Sequence, residues 1–223
     1  MANPEHVELV KRGVMAVTAW QQAHPGTRLD LAKADLKNVN LAGMDLSGAS
    51  LHEAHLQRAN LAGTNLQKAG LRGAQLQGAD LSRAHLQDAH MVRVNLAEAC
   101  LQETLLHRVH LHGAHLQAAN LQAAHLQQTY LQWAYLVGAN MAGAQMQGAQ
   151  LQGANLQAAN LQAADLQESN FEGVVLGNTV FQHTNLKAAQ GLDTCRHLSA
   201  SPLDAGTMSL SGLLPAAFLH GCT

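Results

Sequence analysis

A large apolar residue falls on every fifth position of this chain, from Leu31 to Leu186, without a break. The register holds over 32 positions, of which 27 are Leu and the others Met91, Met141, Met146, Phe171 and Phe181. Two residues before each lies a small residue, usually Ala, as at Ala34, Ala49 and Ala74. The residue just before is often Asp or Asn, as at Asp35, Asn40, Asp45 and Asn60. A period of five fits neither an α-helix nor a simple strand. On a helix, residues five apart are rotated by about 140° and spread around every face. A chain that keeps each fifth side chain inward must turn a corner every five residues, and four corners close a square coil.

Residues twenty apart then stack, and 32 pentapeptides at four per coil give about eight coils. With coils about 4.8 Å apart, the rod is roughly 38 Å long. One inward ladder is Leu31, Leu51, Leu71, Met91, Leu111, Leu131, Leu151 and Phe171. Composition agrees with such a core: 47% of residues are hydrophobic but only 3% are aromatic. A core this poor in rings must be assembled from small repeated layers.

The repeat, read as A-(D/N)-L-x-x, resembles the pentapeptide-repeat family. The resemblance implies an all-β solenoid, a right-handed quadrilateral β-helix, in which the central Leu and the small residue two before it point inward. Some members of that family imitate duplex DNA in width and negative charge, and they protect or inhibit DNA gyrase. The resemblance therefore implies gyrase as one candidate partner. Mimicry draws on strongly negative faces, and here 15 acids stand against 13 Lys and Arg, a formal net charge of −2.

The rod ends need covers, because an open coil exposes backbone groups and an apolar layer. Asn3-Pro4 reads as a helix N-cap followed by Pro. Val7, Val10, Val14 and Val17 recur at helical spacing and Pro25-Gly26 stops the run, which predicts one capping helix over 4–23. Beyond Gly191 the repeat is lost, and the short apolar run Leu213–Leu219 predicts an irregular or helical C-terminal cap, or a homodimer contact. The resulting division is 1–28 for the N-terminal cap, 29–190 for the rod and 191–223 for the C-terminal segment. The segments 191–197 and 211–223, with the opening from Pro4 to Trp20, are also similar to the flanks of pentapeptide modules in TIR-linked bacterial proteins. That likeness implies a sensor or targeting module, stand-alone or drawn from a longer ancestor.

The opening residues mix acids and bases with apolar positions, which does not suit a signal peptide. No stretch of 18 apolar residues suggests a membrane span. The three cysteines, Cys100, Cys195 and Cys222, form no metal or redox motif. The expectation is a soluble cytoplasmic protein with reduced thiols.

Function must lie on outward positions. No charged residue occurs between Arg108 and Asp165, a gap of 56 residues. The stretch from His90 to Tyr135 carries unusual side chains, and stacking by twenty puts His90, His110 and Tyr130 in one column. It puts His115 beside Tyr135, His112 beside Gln132, and Trp133 over Gly113. Exposed aromatics beside His suit an interface, so His90, His110, His112, His115, Tyr130, Trp133 and Tyr135 are the candidate contact residues. His107, His110, His112 and His115 lie close in sequence, but they aim along different faces with no carboxylate or Cys to orient them; no metal is assigned. The chain has no nucleophile elbow, phosphate loop or close carboxylate pair, and a rod without insertions offers no cleft. The sequence thus points to a non-catalytic, protein-binding scaffold without a cofactor. It implies no direct nucleic-acid or membrane binding.

Overall fold

The structure is a computed structural model and describes residues 2–223. The rod is present as the period requires. Parallel bridges join each residue to the one twenty further on, from Asp30 and Ser50 to Asn170 and Gln190. All eight residues of the Leu31 to Phe171 ladder are buried, at 1% exposure or less. The small residues two before them are buried too, so each layer is Leu-class on four sides with Ala filling between. Where Thr takes the small position, its hydroxyl finds a partner: Thr64, Thr104 and Thr129 donate to the carbonyls of Leu41, Leu81 and Leu106 at 2.9, 2.8 and 2.7 Å. A buried hydroxyl left unpaired would be destabilising.

Each corner is a tight turn. The amide of Ala34 donates to the carbonyl of Leu31 at 3.1 Å, and Lys33 between them has φ 64°. A positive φ at the third turn residue with this bond marks a type II turn. Asp or Asn supports the corner by accepting from the amide two residues on, as Asp45 does from Ser47 at 3.0 Å and Asn60 from Ala62 at 3.0 Å.

Between coils, two amides of each pentapeptide point toward the C-terminal end and one toward the N-terminal end. Leu31 and Lys33 donate onward to Ser50 and His52, and Ser50 donates back to Leu29. The two rod ends therefore need different chemistry: the C-terminal end has spare donors and the N-terminal end spare acceptors.

The caps match that asymmetry. At the start, α1 (Pro4–Lys11) is capped by Asn3, whose side chain accepts from the Glu5 amide. The expected single helix over 4–23 is two, because Gly13 adopts φ 97° and α2 (Val14–Ala23) begins after it. The break brings both Val10 and Val17 into the core, each 0% exposed, while Val14 stays 41% exposed. The Asn3 amide and the Gln21 side chain donate to the carbonyls of Asp30 and Asp45, at 3.1 and 2.9 Å.

At the other end the strand pair β1 (Val175–Leu176) and β2 (Arg196–His197) continues the ladder. A 3-10 turn at Leu192–Thr194 precedes β2, and α3 (Ala205–Ser211) and α4 (Ala216–Cys222) follow it. Here side-chain oxygens take over from backbone carbonyls. Thr194, Ser201, Thr207 and Ser211 accept from the amides of Gly173, Thr179, Thr184 and Leu186 at 2.9–3.1 Å. The Asp204 carboxylate accepts from the His183 amide at 3.0 Å. Phe218 of α4 is 0% exposed and meets Phe181 edge to face, with centroids 5.9 Å apart. Burial pushes the thiols of Cys195 and Cys222 up to about 12 and about 11, so both stay protonated near neutrality.

Candidate functional site

The rod has four faces, each centred on one inward ladder. The first face lies over Leu31 to Phe171 and carries His90, His110, His112 and Tyr130. The second lies over the ladder that starts at Leu36 and carries His115 and Tyr135. Trp133 stands on the corner between them. All seven candidate residues thus lie on two adjoining faces, six of them within the coils of residues 110–135.

The bridging column holds its side chains flat against one another. His90 and His110 stack with centroids 5.2 Å apart, and His110 and Tyr130 at 4.8 Å. His115 and Tyr135 stack at 4.9 Å. These spacings approximate the coil repeat, so backbone register alone sets them. His112 lies in the next column and, among the described residues, stacks with no other ring.

Trp133 does not lie over Gly113. Its indole leans the other way, onto Gly153 of the following coil, where a Cβ would sit 2.5 Å from the ring. Arg58 and Gln128 lean likewise toward Gly78 and Gly148. A positive φ at the corner aims each of these side chains toward the C-terminal end. The same rule places Arg93, not Trp133, beside Gly113.

Tyr130, Trp133 and Tyr135 are 40%, 63% and 46% exposed, and Val137 beside them is 36% exposed. Outside the two caps, these four are the exposed large apolar side chains of the described residues. Val137 was not among the sequence candidates. Its signal was available, since it is the one large apolar residue in an outward column otherwise filled by Lys37, Gln57, Gln77, Ala97, Gln117, Gln157 and Gly177.

Charges elsewhere pair from coil to coil. Lys33 meets Glu53 at 3.3 Å, Arg83 meets Glu103 at 2.9 Å, and Arg108 meets Asp88 at 2.8 Å. The hydrogen bond from Arg108 holds the Asp88 carboxyl below its ordinary range. His107 lies on the fourth face near His125, centroids 5.7 Å apart, and burial lowers its affinity for a proton. Among the described residues, no three His, Cys, Asp or Glu side chains come together as a metal site. No described helix is long and apolar enough to cross a membrane.

The family described as pentapeptide repeats matches over residues 30–67, 69–108, 89–128, 114–153, 124–162 and 154–189. The chain belongs to the pentapeptide-repeat family. Its rod is the right-handed quadrilateral β-helix of that family. Among solved structures, the chain is similar to HetL, a pentapeptide-repeat protein involved in heterocyst differentiation regulation in the cyanobacterium Nostoc sp. strain PCC 7120. The identity is 27% over 82% of this chain and 95% of HetL, with a TM-score of 0.44. It is similar to QnrB1, a plasmid-mediated fluoroquinolone resistance protein, at 18% identity over 74% of this chain and 86% of that one, with a TM-score of 0.42. It also resembles Rfr23 from the cyanobacterium Cyanothece 51142, at 33% identity over 47% of this chain and 58% of that one, with a TM-score of 0.27. No curated protein matches the chain.

Proposed function

We propose that this protein is a non-catalytic scaffold that binds another protein through the aromatic corner formed by Tyr130, Trp133, Tyr135 and Val137. One observation carries the reading: every exposed large apolar side chain of the rod falls within residues 130–137. Chance scatter would place such residues singly. Aromatic anchors on a pre-ordered backbone lose little conformational freedom on binding, which is why they dominate contact energies. The absence of charge from 109 to 164 removes the desolvation cost that Lys or Glu would add around them.

Protection of gyrase by DNA mimicry has less support. It needs a negative face, and the rod pairs Glu53, Asp88 and Glu103 with bases of adjacent coils.

The test is capture from a lysate of the source cells by wild-type protein, by the triple Ala variant of Tyr130, Trp133 and Tyr135, and by Gln117→Ala. A partner held by wild-type and Gln117→Ala but lost by the triple variant, with unchanged melting, supports the reading. Equal capture by the triple variant refutes it. Trp133 is a direct reporter when Trp20, the other tryptophan, is replaced by Phe. Its emission shifts to shorter wavelength as the purified partner covers it.

A further inference from the structure

Next to the aromatic corner, toward the N-terminal end, the first face is notched. The bridging column there runs Asp30, Ser50, Gly70, His90, His110, Tyr130. From His90 onward it is filled with stacked rings. At Gly70 it has no side chain, and at Ser50 only a small one. The result is a groove of about 740 Å³ whose lining runs from Arg28 and Asp30 at one end to His110 and Tyr130 at the other.

Its walls carry charge. Lys68, Asp88 and Arg108 follow one another up the corner beside it, and the stem of Arg28 lies along Gly48 on the same corner. Arg108 is engaged with Asp88 at 2.8 Å. Among the described residues, Arg28 and Lys68 have no carboxylate within salt-bridge distance. The lining thus holds three cations, Arg28, Lys68 and Arg108, against two acids, Asp30 and Asp88, a net excess of one positive charge, and Arg28 and Lys68 flank the notch. Across the notch His52 leans over Gly70, its ring 2.6 Å from where a Cβ would stand. It is the far end of a flexible side chain, and an incoming group would pack on it or move it.

We propose that this groove receives an acidic segment of the protein partner, with the partner's carboxylates on Arg28 and Lys68 and one of its aromatic side chains entering over Gly70 to extend the His90, His110, Tyr130 stack. The inference rests on the scaffold reading and gives its partner a chemistry and a direction along the rod. Charge complementarity selects acids: Arg28 and Lys68, outnumbering the one acid of the lining outside an ion pair, Asp30, favour carboxylates and disfavour a basic segment. The stack selects a ring, because successive layers repeat at the spacing of stacked rings. The layer at Gly70 has no side chain of its own, only the His52 ring leaning in from the neighbouring column, which an incoming ring would displace or pack on. A protein segment suits the site better than a free small molecule. The groove is open along its length, whereas small-molecule sites enclose most of their ligand. Tyr130 lines the groove and also belongs to the exposed corner, so one segment can engage both. Its acidic part lies over the early coils and its apolar part over Trp133 and Tyr135.

The probe is a phage-displayed library of random 12-residue peptides, selected on the full chain. The expected consensus has an aromatic residue with two or more acids on one side of it. Affinity of the selected peptides should fall at least tenfold on Lys68→Glu, and also on Gly70→Tyr, which fills the slot. Gly70 does not occupy the positive-φ region and the three atoms nearest its Cβ position all belong to the movable His52 ring, so the second variant should fold, which an unchanged thermal melt checks. Lys187→Glu, far along the rod, should change affinity by less than twofold. Raising the salt should weaken binding of the wild type more than that of Lys68→Glu. Selected peptides without acids, or binding unaffected by Lys68→Glu, overturn the proposal. Peptides weakened by Trp133→Ala but indifferent to Lys68→Glu overturn the groove and leave the aromatic corner standing. A library that enriches nothing also overturns the groove.

Discussion

The corners store strain that can be removed. Five of the turn residues with positive φ are Ala, and the four away from the last coil, Ala118, Ala123, Ala158 and Ala163, adopt 55°, 54°, 55° and 55°. Ala has no polar side chain to offset the clash of its Cβ with the following carbonyl, which costs about 1–2 kcal/mol per residue. Gly removes the clash but gives up about 0.5–1 kcal/mol through the greater freedom of the unfolded chain. Each Ala→Gly change should therefore stabilise by roughly 0.5–1 kcal/mol. The four sites occupy two different corners, and those sharing a corner are two coils, about 10 Å, apart, so their effects should add. The quadruple variant should gain about 2–4 kcal/mol. A chain of this size shifts by about 2–4 °C per kcal/mol, so its Tm should rise by at least about 4 °C in a thermal melt followed by circular dichroism. Gly153→Ala is the matched opposite, adding both the positive-φ strain and a contact with the Trp133 ring, and should lower Tm. An unchanged or lower Tm for the quadruple variant would refute the idea that these corners are strained.

Three further outcomes follow from the register and the caps. Leu116→Asp places a charge at a fully buried position and should abolish the cooperative melt, while Gln117→Ala, one residue on and facing outward, should stay within about 0.5 kcal/mol of wild type. Thr207→Val removes the acceptor of the Thr184 amide and should cost about 1–3 kcal/mol, read as earlier loss of protection from hydrogen exchange in the last coil. The C-terminal cap should also loosen in acid by two routes. Hydrogen bonds from Thr207, first of all from its side chain, and from the His183 amide hold the Asp204 carboxyl at about 2. Its contribution is present above the ordinary carboxylate range and is lost as pH falls toward 2, so Asp204→Asn should flatten that limb of a Tm against pH curve. Burial beside Phe218 and Gly221 lowers the proton affinity of His197, which favours its neutral form in the fold. That contribution is complete above about 6.5 and fades as pH falls below it, and His197→Phe should remove the loss.

The five-residue period by itself determined the coil, its four corners, the inward ladder and the columns twenty residues apart. These follow from counting, because a β-solenoid turns a chain distance directly into a height on the rod. The stacks of His110 on Tyr130 and His115 on Tyr135 were legible for that reason. What counting could not give was direction. The lean of Trp133 onto Gly153 comes from the positive φ of its corner, and the break at Gly13 comes from the need of Val10 and Val17 to reach one rod end. The hydroxyls of Thr194, Ser201, Thr207 and Ser211 have no periodic signal, because they answer backbone amides that are orphaned only where the rod stops. The groove at Gly70 is likewise a tertiary property. Gly70 is unremarkable in sequence, and only the stacked rings beyond it and the cations beside it make its missing side chain a place where something else can bind.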